Sequence, residues 1–330
     1  MSHFPLNPKL YAEDVEQEPT RAGFGRGLKA AGDANEAIVA LCTDLTESTQ
    51  MHLFKEAYPT RFIEVGVAEQ NLVTVASGLA RAGKIPFTSS YAAFSPGRNW
   101  EQIRTTAALN NQPVKIVGSH AGVSVGPDGA THQMLEDIAL MRVLPNMIVV
   151  APGDSVEAEK ATKLIAENGK PTYIRLAREK TPIFSTQDSP FEIGKAYVLR
   201  EGTDVSFLGT GTMTYQMLVA AELLGKEGVS VQVVHVPTIK PLDEKTILHN
   251  VKITGRVVTA EEAQIAGGFG GAISELLTEQ LPMPLKRIGM KDRFGESGTP
   301  SELLEYFELT GEKIADAVRP WLKETPQYHR

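Results

Sequence analysis

Short runs rich in β-branched residues alternate with longer stretches in which apolar positions recur every three to four residues. EAIVALC (36–42), RFIEV (61–65), IPFTSS (85–90), VKIVGSH (114–120), MIVVAP (147–152) and TYIRLA (172–177) predict buried strands. Between them, EQNLVTVASGLARAG (69–83), NWEQIRTTAALNN (99–111), HQMLEDIALMRVL (132–144) and SVEAEKATKLIAENG (155–169) predict helices. The last has Ser155 as its expected N-cap and Gly169 as its stop. Near 180–192 the periodicity lapses into a stretch punctuated by Pro, Ser and Asp. A second series follows. DVSFLGTG (204–211), VSVQVVHV (229–236), RVVTAEE (256–262) and LKRIGM (285–290) predict strands, and 212–228, 270–280 and 311–324 predict helices. The expected fold class is α/β, with two successive domains, each a mostly parallel sheet with helices on both faces. The expected divisions are an N-terminal arm or initial helix over 1–20, a first domain over 21–183, a linker over 184–192 and a second domain over 193–330.

Composition narrows the class of partner. The chain has 330 residues, 33 basic and 40 acidic, for a formal net charge of −7. No basic run appears, which speaks against nucleic acid as a partner. No run of about 18 apolar residues could span a membrane, and the N-terminus lacks the apolar heart of a signal peptide. The lone cysteine, Cys42, excludes an internal disulfide and a Cys-based zinc site. The expected location is cytoplasmic.

Three segments carry candidate chemistry. In RFIEVGVAEQN (61–71) a strand gives way to a helix, with Glu69 in the first helical turn. An acid there complements the helix dipole, and the C-terminal end of a parallel strand is also where open α/β sheets place ligands. SHAGVSVGPDGATHQ (119–133) is a glycine-rich loop carrying His120, Asp128 and His132. Three titratable groups on one loop suit acid–base work near neutral pH. The alternatives are a surface loop whose histidines are incidental, and a metal site, although no helical H-x-x-x-H spacing is present. SSYAAFSPGRNW (89–100) offers Tyr91, Phe94 and Arg98, either as core and surface packing or as a platform for a flat ring. Arg21, Arg175 and Arg178 are salt-bridge partners or anion ligands. GTGTMT (209–214) and AGGFGGA (266–272) lack the dinucleotide-binding spacing and predict tight strand-to-helix turns.

Taken together, these segments resemble the C-terminal half of transketolase. CTDLTES (42–48), RFIEVGVAEQN, SHAGVSVGPDGATHQ, YIRLAREKTP (173–182), TAEEAQIAGGFGGAISE (259–275) and FGESGTPSELL (294–304) have counterparts there in the same order. The resemblance implies a pyrimidine-binding domain followed by the family's C-terminal domain. It also implies a split enzyme, because the GDG motif of the family's diphosphate-binding domain is not in this sequence. A separate N-terminal subunit would hold the diphosphate and Mg²⁺ of thiamine diphosphate. The active site would then form between subunits, and the pyrimidine-binding and C-terminal domains would also self-associate, in a heterotetramer.

By the same resemblance, Glu69 contacts the aminopyrimidine ring and promotes its imino tautomer. Phe94 stacks on that ring, Arg98 or Tyr91 supplies a second stacking position, and Asp44 lies near the cofactor. His132 sits near the reacting substrate oxygen, and Asp128 bonds a substrate hydroxyl. His120, Arg21, Arg178 and Ser48 bind the substrate phosphate. No metal ligand is expected in this chain, and the C-terminal domain is expected to serve structure and dimer contact. The implied activity is transfer of a two-carbon ketol unit between sugar phosphates. The alternatives are the beta subunit of a 2-oxo acid dehydrogenase, a deoxyxylulose phosphate synthase-like enzyme, and a non-catalytic scaffold subunit.

Overall fold

The structure, a computed structural model, describes residues 4–328. The first three residues of the expected arm and the last two of the second domain lie outside the described residues. Two α/β domains are present. The first sheet has seven strands, in the order Thr238–Lys240, Ile148–Val150, Thr172–Arg175, Lys115–Ser119, Ile85–Tyr91, Ile38–Cys42 and Phe62–Glu64. Every neighbouring pair is parallel except the first. The second sheet runs Leu285–Met290, Val257–Gln264, Val205–Gly209, Val231–His235 and Tyr197–Arg200, and only the last pair is antiparallel. A short ribbon pairs Gln17–Pro19 with Lys180–Pro182.

The strand Ile38–Cys42 shows why the runs read as continuously apolar. Ile38, Ala40 and Cys42 pack with Phe24, Leu28 and Ala158 on one face. Val39 and Leu41 pack with Leu72, Val73 and Ala76 on the other. A parallel strand covered on both sides has no solvent face to alternate with. The second cluster continues through Val149 and Ala151 into Val234, Val257 and Phe269, so the two domains share apolar core.

The structure departs from the expected elements in instructive places. Asp154, not Ser155, caps the helix Ser155–Glu167: its carboxylate accepts from the Glu157 N–H. The segment 132–144 is helical only over Asp137–Arg142, because Met134 is drawn into a bridge with Ala121 and completes the preceding loop. The segment 99–111 starts as α-helix at Trp100–Gln102 and widens to a π-helix over Ile103–Ala108. The helix Thr20–Ala34 went unforeseen because TRAGFGRGLKAAGDA carries four glycines. They serve packing: a Cβ at Gly23 would lie 1.9 Å from the Ser155 carbonyl oxygen, and one at Gly27 would lie 2.7 Å from that of Glu159. The unforeseen strand Thr238–Lys240 belongs to the second half of the chain yet completes the first sheet. The two glycine-rich segments are strand-to-helix turns, with Gly211 and Gly267 at positive φ.

Candidate active site

The strand Phe62–Glu64 ends in a turn at Gly66, which has φ +70°, a conformation that costs glycine least. The Glu64 carboxylate accepts from the backbone N–H groups of Asp44 and Gly66 at 2.8 and 2.9 Å, tying two strand ends together. The helix Glu69–Arg81 starts three residues later, so Glu69 sits at its first position. Its side chain is only 3% exposed. One carboxylate oxygen accepts from the Ser90 hydroxyl at 3.1 Å, and the other from Arg98 Nη1 at 3.3 Å. The buried Asn99 donates its amide to the Glu69 carbonyl at 2.8 Å. The carboxylate borders an open cavity of about 550 Å³ lined by Val67, Ala68, Gln70, Asn71 and Arg98.

A row of rings leads away from Glu69. The Arg98 guanidinium lies 4.2 Å above the Phe94 ring. Phe94 stacks with Tyr91 at 6.1 Å, and Tyr91 with His120 at 3.9 Å. His132 meets Phe94 edge-on at 5.3 Å, and its Nδ1 shares a 2.9 Å hydrogen bond with the Thr131 hydroxyl. His120 is buried at φ +58°, with Nδ1 2.9 Å from the Ser119 hydroxyl. Burial above all, then the nearby Arg21, Arg178 and His132, pushes its pKa down to about 3, so its imidazole is neutral at physiological pH.

Beyond His120 lies a basic corner. Arg21 Nε donates to the Arg178 carbonyl at 3.1 Å, and Arg21 Nη1 to the Ser48 carbonyl at 2.5 Å. Arg178 Nη1 donates to the Val125 carbonyl at 2.7 Å and reaches the Asp128 carboxylate at 3.4 Å. Burial, and then Arg178, lowers the pKa of Arg21.

Glu69, Tyr91, Phe94, Arg98, His120 and His132 therefore form one neighbourhood, and Arg21, Ser48, Asp128 and Arg178 form a second beside it. Ser48 joins the basic corner through its carbonyl, which accepts from Arg21. Among the described residues no hydrogen bond or ion pair joins the Asp44 carboxylate to either group, and Asp44 connects through its backbone N–H to Glu64. Arg175 stands elsewhere, on Asp137 at 2.8 Å and on the Glu262 carbonyl at 2.7 Å.

Sequence reasoning missed Ser90, Asn99 and Glu262. Ser90 and Asn99 lie within segments singled out for other residues, and Glu262 is distant in sequence from the loop it touches. Among the described residues no group of three or more His, Cys, Asp or Glu could hold a metal ion, and no helix is long and apolar enough to cross a membrane.

Two α/β domains in series, with polar side chains gathered at the strand ends of the first, define the class. The family model for the transketolase pyrimidine-binding domain matches residues 16–183, and that for the transketolase C-terminal domain matches 194–314. A Methanocaldococcus jannaschii protein, provisionally designated a transketolase C-terminal section, is 44% identical over 307 residues, covering 92% of this chain and 96% of that protein. A Clostridium protein described as a 6-deoxy-6-sulfo-D-fructose transketolase subunit is 42% identical, covering 86% of this chain and 88% of that one. A solved structure described as a split gene transketolase, inactive beta4 tetramer, superposes with a TM-score of 0.87 at 43% identity, covering 93% of this chain and 99% of that one. The chain belongs to the transketolase family, and what it matches is the pyrimidine-binding and C-terminal domains.

Proposed function

We propose that the chain is the C-terminal subunit of a thiamine diphosphate-dependent transketolase. It joins a second polypeptide to move a two-carbon ketol unit from a ketose phosphate to an aldose phosphate. In this reading the second polypeptide holds the diphosphate and Mg²⁺, the assembly is a heterotetramer, and it works in the cytoplasm. Residues 21–183 form the pyrimidine-binding domain and 193–330 the C-terminal domain, joined by 184–192. The observation that carries the reading is Glu69: a buried carboxylate at a helix start, beside an open cavity and an aromatic ring face.

These residues fit an aminopyrimidine. A ring nitrogen needs a carboxyl group aimed at it; the Glu69 carboxylate is oriented by Ser90 and Arg98, and its backbone carbonyl by Asn99. A flat heterocycle needs a flat apolar neighbour, and the Phe94 face already receives a planar guanidinium at 4.2 Å. When bound, thiamine diphosphate supplies the electron sink that lets the bond beside a carbonyl break.

The chain's own residues bind and orient. Glu69 hydrogen-bonds the ring nitrogen and governs its proton. Phe94 supports the ring, with Arg98 and Tyr91 beside it, and Asp44 lies at the margin of the cofactor. His132 stands where a proton passes to or from the substrate oxygen, and Asp128 accepts from a substrate hydroxyl. Arg21 and Arg178, with neutral His120 and the Ser48 turn, form the anion corner. Two guanidiniums suit a tetrahedral anion. The similarity to a subunit named for a sulfo-sugar suggests that the corner also admits a sulfonate.

The test is reconstitution. The isolated chain, supplied with thiamine diphosphate and Mg²⁺, is expected to show no ketol transfer. Addition of a polypeptide carrying the family's diphosphate-binding domain is expected to restore it. Full turnover by the chain alone would overturn the two-polypeptide reading, and no turnover by the assembly would overturn the activity.

A further inference from the structure

The glycine-rich loop that carries His120, Asp128 and His132 is gripped from the second domain. One oxygen of Glu262, on the strand Val257–Gln264, accepts from the Ser124 backbone N–H at 2.6 Å. The loop rests so closely on this carboxylate that a Cβ at Gly122 would lie 2.3 Å from the same oxygen. The other oxygen faces the Thr212 hydroxyl at 3.3 Å. Glu262 is only 3% exposed. Its backbone is pinned as well: Arg175 Nη2 donates to its carbonyl, while Arg175 Nε pairs with Asp137, which also accepts from the Tyr173 hydroxyl at 2.7 Å. A second grip lies further along, where Gln133 Nε2 donates to the Glu296 carbonyl at 2.8 Å.

Val123 shares a buried apolar cluster with Leu303 and Phe307 of the second domain, but the neighbouring Ser124 faces open space. Ser124, Thr212 and Glu262 border a cavity of about 400 Å³ between the domains, reached also by Lys180, Met213 and Leu304. Beside that space, the Ser124 backbone N–H is held by the hydrogen bond to Glu262. A buried carboxylate bonded to a backbone N–H is a strong and directional anchor.

We infer that Glu262 is a positioning residue of the second domain, which sets the substrate-binding loop by holding the Ser124 N–H. The inference rests on the proposed function of that loop, and gives the C-terminal domain a task inside the active site. Glu262 touches no reacting atom. It acts through the placement of Asp128 and His132.

The test uses the assembled enzyme and compares Glu262→Ala, Glu262→Asp and Glu262→Gln. Losing the anchor in Glu262→Ala is expected to raise KM for a phosphorylated ketose roughly tenfold or more, with thiamine diphosphate affinity changed less than about twofold. Glu262→Asp keeps the charge but withdraws the oxygen by about one carbon–carbon bond, roughly 1.5 Å, and moves KM the same way. It decides the matter if the alanine variant fails to fold. Glu262→Gln keeps an oxygen acceptor and restores KM to within about threefold of wild type. Thr212→Val, which touches only the other oxygen, leaves KM unchanged within about twofold. Amide exchange at Ser124 quickens in the alanine and aspartate variants and not in Thr212→Val. Unchanged KM in both Glu262→Ala and Glu262→Asp overturns the inference, as does a parallel loss of cofactor and substrate binding, or a glutamine variant as impaired as aspartate. A wild-type assembly without ketol transfer shows itself before any variant is made, and removes the functional reading together with this one.

Discussion

At the Glu69 end of the site, the buried carboxylate is held by Ser90 and Arg98 and lies beneath an exposed surface, with Val67 70% exposed and the Arg98 side chain 53%. At the His120 end, the imidazole is buried, stacked at 3.9 Å on Tyr91 and bonded to Ser119. Its loop is held from a second domain by Glu262 and Glu296. The proposed substrate half is therefore preorganised within one chain, while the proposed cofactor half lies beside an exposed surface. It is at this exposed end that the proposed function puts the second polypeptide.

The sharpest way to break the comparison is Glu69→Gln. In the assembled enzyme it is expected to lower kcat by roughly 10²–10⁴-fold, the scale of a lost proton-transfer partner. The melting temperature should barely move, since the amide oxygen still accepts from Ser90. Steady-state rates above a tenth of wild type would remove Glu69 from its role.

The next effect is on stability and belongs to the other end. The His120 pKa is depressed to about 3 in the folded chain, against an ordinary value near 6.5. The unfolded chain therefore binds a proton below about pH 6.5 that the folded chain refuses until about pH 3, and His120 costs stability as pH falls through that window. Asp154 and Glu261, with pKa values raised by burial to about 6 and about 7, act in the opposite direction. The clean measurement is consequently a difference. Wild type should lose about 2 kcal/mol relative to His120→Asn between pH 7 and pH 5 in urea titrations. Asparagine is chosen because it tolerates the left-handed backbone at this position. A pH-independent difference would mean that the imidazole is not held neutral.

His120→Ala should raise KM for phosphorylated donors about tenfold and for unphosphorylated analogues much less. Equal changes for both would take His120 out of the anion corner. The smallest effect is expected for Arg98→Ala. The Arg98 side chain is half-exposed and solvent-screened, so its pair with the buried Glu69 is worth about 1 kcal/mol and cofactor affinity should weaken by no more than about fivefold. A larger loss would show that Arg98 holds the ring directly.

The central strands of both sheets and most of the helices between them were legible because apolar runs and helical periodicity report burial on two faces, whereas Tyr197–Arg200, Thr238–Lys240 and Glu244–Thr254 were not. The place of Glu69 at a helix start was legible for a related reason: the strand end at Gly66 fixes where the next helix must start. What escaped was set by contacts across distance. The glycines of Thr20–Ala34 argue against a helix locally, and make sense only beside Ser155 and Glu159. Asp154 outcompeted Ser155 as cap because its carboxylate also receives the N–H groups of Phe184 and Ser185 at 3.0 and 2.8 Å, partners some thirty residues away. The roles inferred for Glu262 and Asn99 depend on the same kind of long-range contact, which no local pattern encodes.

The strand Thr238–Lys240 ties the two halves together. It supplies the outermost rung of the first sheet, and Lys240 Nζ reaches the carbonyls of Arg142 and Leu144 at 2.9 and 2.5 Å. A protease nick between residues 186 and 190 would leave the fragments clasped together. Expressing the first half by itself would bare the Ile148–Val150 edge, an invitation to strand addition by neighbouring molecules and to aggregation. Recombination that exchanged one module alone would meet the same obstacle, so the pair travels as a unit.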